Sequence, residues 1–193
     1  MDARLDPVWI DVGQVLQRTV ASLYAHLVTR PTGRAVRMAI EAQLQSAVGA
    51  RSLSLIDLSE VIILDFSCAD EVVARLVEDA TKSSTHEAFF VFRGVHEPHR
   101  DQIESVLRRR GLATVVETDP GCFQLLGTRT AGEDRLWHEV ERRGLVDPEE
   151  AARILADAAE PRALESLLER RLAFRSPSSG RVHALSRLVP NIT

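Results

Sequence analysis

The sequence predicts an α/β domain followed by a smaller α+β unit, on the basis of three observations. Segments with the composition of strands alternate with segments of helical spacing up to about residue 126. The apolar periodicity then stops over residues 127–133, which are rich in Gly and Thr. Beyond this break, three short helical segments precede two short strands. We therefore predict a first domain over residues 1–126, a linker over 127–133 and a second domain over 134–193.

The composition is that of a globular protein that buries a core. Of its 193 residues, 45% are hydrophobic and 27% are charged. No apolar run approaches the roughly 18 residues of a membrane helix, and the first residues lack the basic and apolar regions of a signal peptide. The two cysteines are too few for a disulfide framework or a four-thiolate zinc site. We therefore expect a cytoplasmic protein.

The first predicted elements are a pair of strands and a helix. Residues 8–17 and 20–28 are rich in apolar residues with partial alternation, which favours two paired strands, although an amphipathic helix fits the same pattern. Apolar residues spaced three and four apart over 35–48 predict a helix that ends near Gly49.

Residues 53–80 predict a buried strand and a second helix. The apolar run over 53–58 is typical of a strand inside a sheet. Helical spacing returns from Val72 to Ala80. We place Ser67 at the N-cap of this helix, with Asp70 as its capping-box partner.

The first domain ends with a strand, a helix and a hairpin. Residues 88–95 predict a central strand, and the next helix begins near Pro98 and ends before Gly111. Two short strands over 114–117 and 122–126 flank a turn of Asp, Pro and Gly.

The second domain predicts three helices and a hairpin. One helix ends at Gly144, the next covers 148–158 and the third covers 161–168. Strands over 172–175 and 182–185 follow. This order is typical of a winged helix, a relative of the helix-turn-helix module.

The winged-helix order makes DNA binding a candidate function of the second domain. The formal charge of −4 attracts no nucleic acid globally, so a DNA contact must be local. Glu165 and Glu169 lie on the third helix and argue against it, which leaves protein contacts as the alternative. The candidate DNA contacts are the arginines of the third helix and the hairpin: Arg162, Arg170, Arg171, Arg175 and Arg181.

The segment DLSEVIILDFSCADEVV, residues 57–73, resembles the signature DLSGVxFIDSSGLGVL of STAS domains. This family comprises anti-sigma factor antagonists and the tails of sulfate transporters. The segments VTRPTGRAVRMAIEAQL, GVHEPHRDQIESVLRRRGL and ATVVE resemble the flanking elements of the family in the same order. The resemblance covers about residues 8–126 and implies a STAS-like fold, a mixed sheet with helices.

The resemblance also implies a functional loop. In partner-switching members of the family, an anti-sigma kinase phosphorylates the serine or threonine at the start of the helix after the signature and so releases the antagonist. It therefore implies a protein partner, either an anti-sigma-like kinase or another regulator. The residues implied for phosphorylation or partner binding are Asp65, Phe66, Ser67, Cys68 and Asp70.

The loop of this chain departs from the family pattern next to Ser67. Phe66, Cys68 and Ala69 replace a serine, a glycine and a leucine of the signature. The neighbouring acids Asp65, Asp70 and Glu71 would oppose a phosphate group on Ser67. We therefore expect Ser67 to act as a helix cap rather than as a switch.

The sequence predicts no catalytic residues, no metal site and no cofactor. His96, Glu97 and His99 suggest a metal pair, but no third ligand is recognisable, so we expect two solvated loop histidines. We expect a non-enzymatic bacterial regulatory protein in which the STAS-like domain binds a protein partner or signal and the winged helix gives a transcription-related output. The alternative is a protein interaction module of a signalling or scaffold assembly that does not bind DNA.

Overall fold

The computed structural model describes residues 6–11, 26–45, 51–83, 86–156 and 162–189. The elements of the first half are, in chain order, β1 (Asp6–Asp11), β2 (His26–Leu27), α1 (Arg30–Gln45), β3 (Arg51–Asp57), β4 (Ile63–Leu64), α2 (α-helical Phe66–Ala69, π-helical Asp70–Ala74, α-helical Arg75–Lys82), β5 (Glu87–Arg93), α3 (Glu97–Arg110), β6 (Ala113–Asp119) and β7 (Cys122–Gly127).

The second half contains three helices and three short strands among its described residues. A 3-10 turn, Leu185–Arg187, follows the last strand. The elements are α4 (Ala131–Arg143), β8 (Leu145–Val146), α5 (Pro148–Ala156), α6 (Ala163–Glu169), β9 (Ala173–Arg175) and β10 (Val182–Ala184). The predicted hairpin is confirmed, with Phe174 opposite His183. The strand β8 was not predicted, because two residues are too short to show a period.

A five-stranded sheet organises the described residues in the order β1-β3-β5-β6-β7. The strands β1, β3, β5 and β6 are parallel, and β7 is antiparallel to β6. Strands and helices alternate along the chain, so the predicted α/β fold class is confirmed.

The predicted pairing of residues 8–17 with 20–28 is not found among the described residues. The strand β1 pairs in parallel with β3 instead, and His26 and Leu27 pair with Ile63 and Leu64 in β4. Residues 12–25 lie outside the described residues. The apolar pattern correctly predicted a strand at residues 8–11. It did not indicate which strand lies beside it, because strand pairing joins residues far apart in the chain.

Both faces of the sheet are buried, each in its own apolar core. The face that carries Ile56, Phe90 and Phe92 packs under α1, α2 and α3. The opposite face carries Leu55 and Val91 and packs against the second half of the chain. Adjacent residues of one strand therefore serve different cores, as the period of two requires.

The second half contacts the sheet through aromatic and polar anchors. The rings of Phe89 in β5 and Phe174 in β9 meet edge to face, with centroids 5.6 Å apart. The indole of Trp137 is buried in the same core as Leu55 and Val91, and its nitrogen donates to the carbonyl of Leu172 within the second half at 3.2 Å. The guanidinium of Arg171 donates to the carbonyl of Ser83 at 2.8 Å, which ties the second half to the C-terminal end of α2.

Residues 127–133, predicted as a linker, connect β7 directly to α4. Gly127 ends β7 with a φ of +103, and a Cβ there would lie 2.2 Å from the carbonyl oxygen of Leu112, so only glycine fits. Thr130 caps α4 in a capping box with Glu133. The division into a domain over 1–126 and a domain over 134–193 stays a prediction.

The aromatic contact between the two halves gives a first test. Replacing Phe174 by alanine removes a buried ring and leaves a cavity against Phe89, so we expect Phe174→Ala to lower the free energy of unfolding by about 3–5 kcal/mol. Urea unfolding followed by circular dichroism measures this change. The exposed Met38 in α1 provides the control, because Met38→Ala should change stability by no more than about 0.5 kcal/mol. A loss below about 1 kcal/mol for Phe174→Ala would contradict the packing of the second half on the sheet.

Candidate functional site

Asp65, and not Ser67, caps the N-terminus of α2. Asp65 has the extended backbone of an N-cap, with φ −81 and ψ 167, and its carboxylate accepts a hydrogen bond from the backbone nitrogen of Cys68 at 2.8 Å. The helix begins at Phe66, so Ser67 is already inside it and cannot be the cap. The hydroxyl of Ser67 donates to the two carboxylate oxygens of Asp65 at 2.9 and 3.2 Å. Ser67 therefore supports the cap by fixing its carboxylate.

A close approach of α1 to α2 holds Cys68 in the core. A Cβ on Gly33 would lie 2.9 Å from the Cα of Cys68, so α1 reaches this distance only with glycine. The thiol of Cys68 donates to the carbonyl of Thr29 at 2.9 Å. Burial, followed by the nearby Asp65 carboxylate, raises the pKa of the Cys68 thiol to about 12. Cys68 is buried, and its thiol stays protonated at neutral pH.

Two acids are buried in the π-helical segment of α2, which lies between α1 and α3. Asp70 accepts hydrogen bonds from Arg30 at 2.8 Å and from Arg110 at 2.7 and 3.1 Å. Glu71 accepts from Arg30 at 2.8 Å and from Arg37 at 3.3 Å. Burial alone would raise the pKa of Asp70, but the hydrogen bonds from Arg110 and Arg30 outweigh burial and hold that pKa below its usual value.

This geometry corrects the predicted role of Asp70. The capping box with Ser67 is wrong, because the Asp70 carboxylate is occupied by two arginines from neighbouring helices. A π-helical turn adds one residue to the helix and is often found at functional positions. Here it places the adjacent Asp70 and Glu71 both within reach of the arginines of α1.

Three apolar side chains are exposed next to the Asp65 loop. The ladder of β2 and β4 leads into this loop, and the backbone nitrogen of Asp65 donates to the carbonyl of Leu27 at 2.8 Å. Leu27 and Leu64 are buried on one face of the ladder, so the alternation turns their neighbours Val28 and Ile63 outward, and Ile62 lies just before β4. The exposed residues are Val28 (46%), Ile62 (67%) and Ile63 (44%). We call these three residues the apolar rim.

The two histidines of the candidate metal pair differ in environment. His96 is exposed, but His99 is buried in the first turn of α3, so the prediction of two solvated loop histidines is wrong for His99. Its Nε2 lies 3.4 Å from the carbonyl oxygen of Ile62, below the apolar rim. Burial lowers the pKa of His99. Within the described part of the chain, no cluster of three or more metal-ligating side chains occurs.

Two of the arginines predicted for DNA contact are engaged inside the protein. Arg170 donates to both carboxylate oxygens of the buried Glu133 at 2.9 Å. Arg171 adopts a left-handed backbone with φ 59 and donates to the carbonyls of Ser83 and His86 at 2.8 and 3.2 Å. These contacts orient both guanidinium groups toward the interior of the fold.

The other three arginines predicted for DNA contact lie on the surface. Arg175 forms an ion pair with Glu165 at 2.7 Å, and Arg181 forms one with Asp147 at 2.7 Å. Arg162 is exposed just before α6. The structure thus does not bring the five arginines together on one surface.

Sequence reasoning missed the apolar rim and the arginines around the buried acids. Ile62 and Ile63 belong to the apolar run Val61–Leu64, in which Val61 and Leu64 are buried, so the run alone does not indicate which of its residues face outward. Arg30 and Arg37 lie in α1 and Arg110 lies in α3, more than 30 residues from Asp70 and Glu71 along the chain, so no local spacing indicates that they share this pair of acids.

The cap of α2 gives a second test. Asp65→Ala removes the oxygen that receives the backbone N–H of Cys68, so we expect it to lower the free energy of unfolding by about 0.5–2 kcal/mol. Asp65→Asn should retain most of this stability, because asparagine is also a good N-cap. Ser67→Ala should cost less than Asp65→Ala, since it removes only a bond to the cap. Urea unfolding of the three variants measures these differences in the free energy of unfolding. A larger loss of unfolding free energy for Ser67→Ala than for Asp65→Ala would contradict the assignment of Asp65 as the main cap.

Comparisons with known proteins leave the family open. The chain matches no protein-family model, no curated protein and no solved structure. Within the described residues, no helix is both long and apolar enough to cross a membrane.

Proposed function

We propose that the protein is a regulatory protein of the bacterial cytoplasm that acts by binding other proteins and not by catalysis. Its first half acts as a STAS-like domain, and a protein partner docks on the apolar rim and the adjoining loop of Asp65 and Ser67. The observation that carries this proposal is the exposure of 67% at Ile62, three residues before the loop that the family resemblance implies.

The physical argument is the cost of leaving the apolar rim in water. Val28, Ile62 and Ile63 expose branched apolar side chains beside a charged cap, and such a combination of apolar centre and polar edge is typical of protein interfaces. Burying these side chains under a partner contributes about 25 cal/mol of favourable binding free energy for each Å² of apolar surface removed from water. The rigid anchoring of the loop by Asp65 lowers the entropic cost of binding.

The contacts of Ser67 indicate how phosphorylation would act at this surface. A phosphate on Ser67 would replace the hydroxyl that donates to Asp65 and would place a second negative group against that carboxylate. The repulsion would disturb the cap and the docking surface together.

We propose that the second half of the chain binds another protein rather than DNA. Three helices and the three-stranded sheet β8-β10-β9 follow the order of a winged helix, which is the observation in favour of the DNA alternative. The charges argue against it. Glu165 and Asp147 neutralise two of the surface arginines, while Arg170 and Arg171 are engaged internally.

The partner surface is tested by binding measurements on the full chain. The wild-type protein is used as bait in an extract of its native host, and the captured partner is identified, purified and titrated by calorimetry. We expect the double substitution of Ile62 and Ile63 by glutamate to weaken binding at least tenfold, because two charges would have to be desolvated in the interface.

Leu145→Glu provides the matched control for this experiment. Leu145 is also apolar and 37% exposed, but it lies in β8 in the second half of the chain. We expect this variant to bind the partner like the wild type. Equal affinity of the wild type and the Ile62/Ile63 variant would rule out the apolar rim as the docking surface.

The DNA alternative has its own test. Fluorescence anisotropy with random-sequence duplex at low salt measures the affinity and its salt dependence, which is steep for a protein that contacts several phosphates. We expect no binding at micromolar protein. Tight binding that falls steeply with salt and is lost when Arg162, Arg175 and Arg181 are replaced by glutamine would establish the DNA alternative instead.

A further inference from the structure

A cationic cleft lies where the N-terminal part of α1 meets α2. Its volume is about 420 Å³. Four arginines and one acid account for its charged lining, so positive charge exceeds negative charge by three. The lining residues are Arg30, Pro31, Arg34, Arg37, Glu71 and Arg75. We call this feature the arginine cleft.

The buried acids do not account for all of these arginines. Asp70 and Glu71 are already compensated by Arg30, Arg37 and Arg110 at 2.7–3.3 Å. Arg75 also forms an ion pair with Glu71 at 3.3 Å, the same distance as Arg37, but its buried Nε makes no hydrogen bond to any described residue. Arg34 is exposed and forms no ion pair with any described residue. Arg34 therefore compensates no described acid, and Arg75 is a third guanidinium on Glu71, which Arg30 and Arg37 already bind.

The acids behind the cleft hold its arginines in place. Arg30 uses the single nitrogen Nη1 for its bonds to both Asp70 and Glu71, so these bonds leave its Nε and Nη2 donors unused. Arg37 is only 13% exposed and is fixed between Glu41 and Glu71. Guanidinium groups that are oriented in advance lose little entropy when they bind an oxyanion.

The dimensions and chemistry of the cleft indicate a small, highly charged ligand. Guanidinium forks match the oxygens of a phosphate group in geometry and charge. The first turn of α1, a helix of 16 residues, adds the positive end of its dipole. None of the described lining residues is aromatic, so the cleft offers no aromatic ring on which a nucleobase could stack.

We propose that the arginine cleft binds a phosphate dianion, either free or at the end of a small phosphate ester. Arg34 and Arg75 contact the anion directly, and Arg30 and Arg37 complete the site from positions fixed by the buried acids. This site is independent of the proposed partner surface, so either proposal can fail without the other.

Titration of the full-length protein with inorganic phosphate tests the site. The ionic strength is held constant with sodium chloride in a buffer free of phosphate, and binding is followed by ³¹P NMR and by the thermal unfolding midpoint. We expect saturable binding that raises the midpoint with phosphate concentration, because a ligand of the native state stabilises it by mass action. Phenyl phosphate, titrated in parallel, distinguishes a bound ester from the free ion, and binding of either one supports the site.

Two substitutions and one control locate the site. Arg34→Gln and Arg75→Gln should each weaken phosphate binding about tenfold, since each removes a charged hydrogen-bond donor. Arg100→Gln removes an exposed arginine of α3 that does not line the cleft and should bind phosphate like the wild type. If Arg75→Gln fails to fold, Arg34→Gln decides alone, because Arg34 makes no ion pair within the described fold. A midpoint that responds no more to phosphate than to chloride, or unchanged binding in Arg34→Gln, would overturn the proposal.

Discussion

The sheet has two buried faces, and the rest of the described structure depends on covering both. The helices α1, α2 and α3 cover one face, and the second half of the chain covers the other. Neither half of the chain covers both faces of the sheet by itself. The three short strands and three helices after Gly127 therefore serve the core of the central sheet as well as their own packing, through Phe174, Trp137 and Arg171. Any binding function of the second half must leave its packing on the central sheet intact.

The packing of α1, α2 and α3 depends on the balance between two buried acids and the arginines that pair with them. Burying Asp70 and Glu71 without partners would cost several kcal/mol for each charge, so the arginines of α1 and α3 are needed there. Their guanidinium groups stay protonated at every physiological pH, and the pKa of Asp70 is held low. This network joins α1 and α3 to α2, and the same arginines of α1 line the arginine cleft.

The sequence predicted local features better than partnerships. The helix end at Gly111, the turn before Cys122 and the hairpin after Leu172 were correct, because each depends on a few neighbouring residues. The cap was misplaced by two residues, since serine and aspartate are equally good N-caps and only the backbone decides between them. The strand pairing and the contacts of Asp70 with Arg30 and Arg110 join residues far apart in the chain, and no local pattern carries that information.

The shared burial of the sheet also has a consequence for biosynthesis. The ribosome releases β3, β5 and β6 before it has made α4 and the hairpin, so Leu55, Phe89 and Val91 emerge with no cover. Such a nascent chain presents an apolar sheet face of the kind that aggregates or attracts chaperones. Translation of the last third of the chain therefore sets how long this face stays open.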